Sequence, residues 1–156
     1  MLGYVAYKSI IGNRTEVDLA SPSDAQYVLN CANLGEVKIE KIIHSYVSDR
    51  NITGDHLDAF AIKVVNIKEQ DLREEPDTGG GWHRGDRIPP VIEQAYKFLD
   101  SWRSYVDWLP SQSDLQSPDY YVYPWKISFH GTLPTEAELI IVCPSERMIF
   151  FFGAKT

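Results

Sequence analysis

A chain of 156 residues, 44% hydrophobic and 24% charged, fits one globular domain over 1–156, and folding at this size removes roughly 70% of the unfolded surface from water. Nine Tyr, six Phe and four Trp supply enough apolar area to exclude a disordered chain. The net charge of -7 repels nucleic acid and anionic lipid, so neither is an expected partner, and it favours a basic one.

The segments 4–11 and 15–19 read as two short strands. Ser21-Pro22-Ser23-Asp24 then opens a helix: Ser21 caps it, Pro22 suits the first helical position, and Asp24 favours the positive end of the dipole. Ala25, Val28, Leu29 and Ala32 follow at helical spacing, and Gly35 is placed to end the helix. From 37 to 47 the pattern alternates, with Val37, Ile39, Ile43 and Val47 on one face and Lys41 and Ser45 interrupting it. A polar turn leads into a strand over 56–65, whose Phe60, Ile62 and Val64 share a face. The two strands are expected to pair as a hairpin.

Residues 69–77 set Glu69, Asp71, Glu74, Glu75 and Asp77 against Arg73, the pattern of a solvated surface. Asp77-Thr78-Gly79-Gly80-Gly81-Trp82-His83-Arg84-Gly85-Asp86-Arg87 follows. A linker has no use for Trp, His and Arg, and a packed strand does not tolerate three successive glycines. After Ile88-Pro89-Pro90, the residues Ile92, Ala95, Leu99, Trp102, Val106 and Leu109 recur every three or four, predicting a helix of about 19 residues from Pro90. A loop over 110–118 precedes a strand over 120–132, in which Pro124 implies an edge position or a bulge. The segments 137–142 and 148–152 form a closing hairpin with Pro144 second in its turn. Apolar on both faces, they belong at the centre of the sheet. The order β-β-α-β-β-α-β-β-β gives the fold class as α+β, a mainly antiparallel sheet packed against two helices.

The glycine-rich segment matches neither a P-loop nor a dinucleotide fingerprint. It reads as a recognition loop in which Trp82 supplies an anchor, Arg84 and Arg87 pair with an anionic group, and His83 adds a pH-sensitive donor. Asp86 belongs with these residues in the binding loop. The competing reading folds Trp82 onto the core and neutralises Arg84 and Arg87 with the acidic run at Glu74, Glu75 and Asp77. His130-Gly131-Thr132 has the His-x-Thr pattern of two-histidine phosphoesterases, and His44-Ser45-Tyr46 would have to supply its partner. Asp55, His56 and Asp58 are candidate ligands for a divalent ion that needs at least one further donor. There is no nucleophile elbow, and Cys31 and Cys143 lie far apart outside any Cys-x-x-Cys pair.

These features predict an acidic protein that binds a basic protein partner in the manner of an immunity or inhibitor protein. The alternative is a small hydrolase or phosphoesterase using His44 with His130, or a metal at Asp55, His56 and Asp58. No cofactor is implied. The sequence opens without a secretory pattern, so the expected location is the cytoplasm.

Overall fold

Residues 139–142 and 148–152 are apolar at every position, and such strands are stable only with both faces covered. The computed structural model describes residues 20–74 and 81–156. Its strands are β1 (Ile39–Val47), β2 (His56–Val64), β3 (His83–Arg84), β4 (Tyr121–His130), β5 (Leu133–Cys143) and β6 (Met148–Lys155). They form one antiparallel sheet in the order β1-β2-β6-β5-β4-β3, which puts β5 and β6 at its centre. The helices are α1 (Pro22–Cys31), α2 (Pro90–Ser101) and α3 (Gln112–Leu115). The protein is α+β. The two strands expected before Ser21 lie outside the described residues, while α3 and the two-residue β3 add to the expected order. No helix among the described residues is long and apolar enough to cross a membrane.

Alternation along the central strands feeds two cores. Phe60, Ile62, Ile140 and Ile149 face one side, where Val28 and Leu29 of α1 meet them. Ala59, Ala61, Ile141 and Phe152 face the other, against Ile92, Ala95 and Leu99 of α2. Strand β1 departs from simple alternation because two irregularities, between Ile39 and Lys41 and between Ile42 and His44, each shift its register against β2. Ile39 and Ile42 therefore join the α1 side, while Ile43 and Tyr46 join the α2 side. Ser45, which interrupts the predicted face, is buried and its hydroxyl accepts from the Ala20 amide at 3.1 Å.

Ser21 and Asp24 cap α1 reciprocally: the Asp24 amide donates to Ser21 Oγ at 3.2 Å and the Ser21 amide to Asp24 Oδ2 at 2.9 Å. Its end differs from expectation. Asn33, at φ 58°, takes the left-handed position instead of Gly35, and the Leu34 amide reaches back to the Leu29 carbonyl at 2.8 Å. Asparagine is the non-glycine residue most at ease there, and Leu34 is buried beside α1.

The predicted 19-residue helix stops at Ser101, giving way to a 3-10 turn over Arg103–Tyr105. The Arg103 guanidinium donates to the carbonyls of Leu109 and Pro110 at 2.9 and 3.0 Å and to Asp100, fastening the returning chain to the helix end. Val106 and Leu109 are still buried on the α2 side. The apolar spacing thus marks buried positions correctly but does not need one continuous helix. The loop expected over 110–118 contains α3, capped by Ser111 and Asp114 in the same reciprocal way as α1.

Pro124 sits where its missing N–H does no harm. Among the described residues β4 is flanked on its outer side only by β3, opposite Tyr121 and Val122, and its register against β5 shifts between Pro124 and Lys126. The closing turn spans residues 144–147, with the Arg147 amide donating to the Pro144 carbonyl at 3.0 Å, so Pro144 is first in the turn and not second.

The Tyr96 hydroxyl is buried among apolar neighbours and has no hydrogen-bond partner among the described residues. Burial pushes its pKa well above the ordinary phenol value. An orphaned buried hydroxyl costs stability, so Tyr96→Phe is expected to leave the urea midpoint unchanged or raise stability by about 1 kcal/mol, measured by chemical denaturation.

Candidate functional site

The glycine-rich segment is anchored at its base. Trp82 is 5% exposed, packs at 5.4 Å from the Tyr123 ring, and belongs to the α1-side core. It also forms an isolated bridge with Glu74, which ties the two ends of 75–80 together. Arg87 Nη2 contacts both Glu74 carboxylate oxygens, at 2.8 and 3.0 Å. Arg84 forms a two-point pair with Asp86, at 2.6 and 2.7 Å. Glu75 and Asp77 lie outside the described residues. Trp82 thus folds onto the core, and both arginines are neutralised locally.

Gly85 serves packing more than freedom. A Cβ there would stand 2.2 Å from the Leu115 carbonyl oxygen and 2.4 Å from that of Ser117. The Gly85 amide donates to the Tyr120 carbonyl at 2.7 Å. This glycine lets the loop base press against α3. His83 is 9% exposed and its Nε2 is buried with no partner among the described residues. Burial holds its imidazole below the ordinary histidine range, with Glu74 acting in the opposite direction. Together with Arg84, Arg87, Ile88 and Pro89, it lines a shallow cleft of about 280 Å³.

The paired-histidine arrangement does not form. His44 lies on β1 and His130 on β4, four strand positions apart, or about 19 Å at the spacing of sheet strands. His44 stacks on Trp108 at 5.2 Å. The predicted strand over 120–132 ends at His130, and Gly131, at φ 63°, and Thr132 form the turn into β5. Thr132 therefore shares no strand face with His130.

The metal candidates separate too. Asp55 belongs to the β1–β2 turn, where Asn51 Nδ2 and Thr53 Oγ1 donate to its carboxylate at 2.9 and 2.7 Å; these bonds lower its pKa. Among the described residues no three His, Cys, Asp or Glu side chains are grouped to hold a metal ion.

His56 and Asp58 nonetheless line a cleft of about 260 Å³ beneath the first turns of α1. Asp58 on β2 and Glu138 on β5 are both in register with Gly153 of β6. The glycine between them gives the cleft a floor without a side chain. A Cβ there would come within 2.8 Å of the Phe151 ring, which stacks with Phe60 along one wall. Arg50 pairs with Asp58 Oδ2 at 2.9 Å, leaving Oδ1 buried and without a partner among the described residues. Burial, then the Glu136 charge, lifts the Glu138 pKa; Lys126 and His56 oppose the shift and Asp58 adds to it. His56 Nδ1 lies 2.9 Å from the Gly54 carbonyl, which fixes the ring.

Sequence reading missed Glu138, Gly153 and Tyr27 at this cleft. The signals were the alternating Glu136 and Glu138 at the head of an apolar strand and an isolated glycine inside another. No family model matches the chain, and comparison with curated proteins and with solved structures returns no match either.

Gly85→Ala is expected to destabilise the protein by about 2 kcal/mol, because the clash is with backbone and cannot be relieved by a rotamer change. Gly131→Ala has open space around its Cβ and bears only the strain of its positive φ. Urea denaturation of the two variants checks the order, with Gly85→Ala the more damaging.

Proposed function

We propose that the protein acts by binding a basic protein partner, in the manner of an immunity or inhibitor protein, and that it takes an arginine or lysine side chain of that partner between Asp58 and Glu138. The observation that carries this reading is the row Asp58–Gly153–Glu138, two carboxyls on either side of a bare backbone floor. The rings of Phe60 and Phe151 and the rim residue Tyr27 suit the alkyl stem and the cationic head together. The unpaired Oδ1 of Asp58 gains a donor on binding, which removes the cost of burying it alone. The overall charge of -7 steers such a partner toward the surface.

The ion pairs Arg84–Asp86 and Arg87–Glu74 sit on the surface as a second contact region, while Trp82 and His83 fix the loop that carries them. The working location is the cytoplasm, where the free thiols Cys31 and Cys143 remain reduced.

Glu138, lifted by burial and set across Gly153 from Asp58, also favours a second reading as the general acid of a hydrolase. Turnover of an aryl phosphate or aryl glycoside that is lost in Glu138→Gln would support it.

The binding reading is tested by titrating a tri-arginine peptide into the protein and following backbone amide shifts. Saturable changes at Asp58, Glu138 and Gly153 are expected, weakening as salt rises. Combining Asp58→Asn with Glu138→Gln should reduce affinity at least tenfold, and a tri-citrulline peptide should not bind. Changes confined to other surfaces, or unaltered affinity in the double variant, would overturn the assignment.

A further inference from the structure

We propose that β3, with Trp82 and His83, is an acid-released latch: protonation of His83 frees β3 from β4 and uncovers Trp82. The latch is small by construction. Among the described residues its ladder to the sheet is His83 opposite Val122 and Arg84 opposite Tyr121, with the Gly85 amide adding one bond to Tyr120 and Trp82 packing on Tyr123 beside it. Such a short ladder opens far more readily than the central strands.

His83 is the member that cannot accept a charge in place. Its Nε2 is sealed from solvent with no partner among the described residues, so an added proton has no acceptor among them. Among the described residues the charged groups near it are Glu74 before the loop, Arg84 on β3, and Asp86 and Arg87 in the turn that follows; the Tyr121 phenol lies on β4. Both carboxylates are already engaged at two points each, Glu74 by Arg87 and Asp86 by Arg84. The Glu74 charge that favours an imidazolium is therefore shared with Arg87, and it offsets burial of the ring only in part.

The direction of the pH effect follows. In an open or unfolded chain the imidazole takes a proton near pH 6.5, whereas the buried ring takes it only at lower pH. Across that interval the open form binds more protons, so closure is fully stable above about pH 6.5 and weakens as pH falls through the interval. The weakening is at most about tenfold per pH unit for one group.

Hydrogen exchange on the intact chain tests this, with rates corrected for the intrinsic pH dependence of exchange. Between pH 7 and pH 5, protection at His83 and Gly85 should fall by severalfold to tenfold or more, while the β5–β6 amides keep theirs. In His83→Phe, which fills the same space without titrating, the pH dependence should vanish. Equal protection of β3 at both pH values in the wild type, or an unchanged pH dependence in His83→Phe, would overturn the proposal. A direct titration of the His83 ring proton by NMR covers the case in which that variant fails to fold. A midpoint clearly below 6.5 supports the latch, and one at or above 6.5 overturns it.

Discussion

Burial of both faces of β5 and β6 is the constraint from which the rest of the structure follows. Their side chains are apolar at consecutive positions, so neither face tolerates water. The antiparallel pairing sends Ile140 and Ile149 to one side and Ile141 and Phe152 to the other, and each side then needs its own cover. Helix α1 meets the first set and α2 the second. The irregularities fall in the edge strand β1 and in the part of β4 beyond the short β3, where among the described residues a register shift disturbs one neighbour and not two.

Both candidate sites lie where this cover ends. Along β2, β6 and β5 the α1-facing side runs from Ile62, Ile149 and Ile140 to Asp58, Gly153 and Glu138 within a few residues. The change from aliphatic to acidic side chains occurs on the same face, beneath the start of α1. A side chain at position 153 would fill the gap between the carboxyls; its absence makes a cleft from what would otherwise be a polar strand surface. At the opposite flank β3 is a fragment of a strand, anchored by one tryptophan and two ion pairs.

Much of the framework was legible from residue order because local and long-range requirements agreed there. Ser21, Pro22 and Asp24 signal a helix start through backbone hydrogen bonding alone, whereas the same capping pair at Ser111 and Asp114 opens α3 inside a stretch read as loop. The hairpins of β1 with β2 and of β5 with β6 follow from alternation and turn chemistry. What was not legible depends on contacts distant in sequence. Arg103 fastens the end of α2 by gripping carbonyls six and seven residues ahead, although the apolar spacing continues unbroken. The glycine loop suggested freedom, but Gly85 is dictated by the α3 backbone about thirty residues later. The row Asp58–Gly153–Glu138 draws on three strands, and no local pattern reveals that register. Conversely, His44 and His130 resembled a pair only because sequence does not show how many strands separate them.

The outer border of β4 has a consequence for the behaviour of the protein in concentrated solution. A bare strand border is a template on which another chain can add, the first step toward ordered aggregates. Here Pro124 removes one donor, the register shift beside it breaks the straight line of carbonyls, and Lys126 adds a charge held by Glu136 at 2.9 Å. Trp125 and Phe129 are partly exposed along this border, so the apolar attraction for self-association is present. The proline and the register shift oppose the backbone pairing that would extend the sheet across this border.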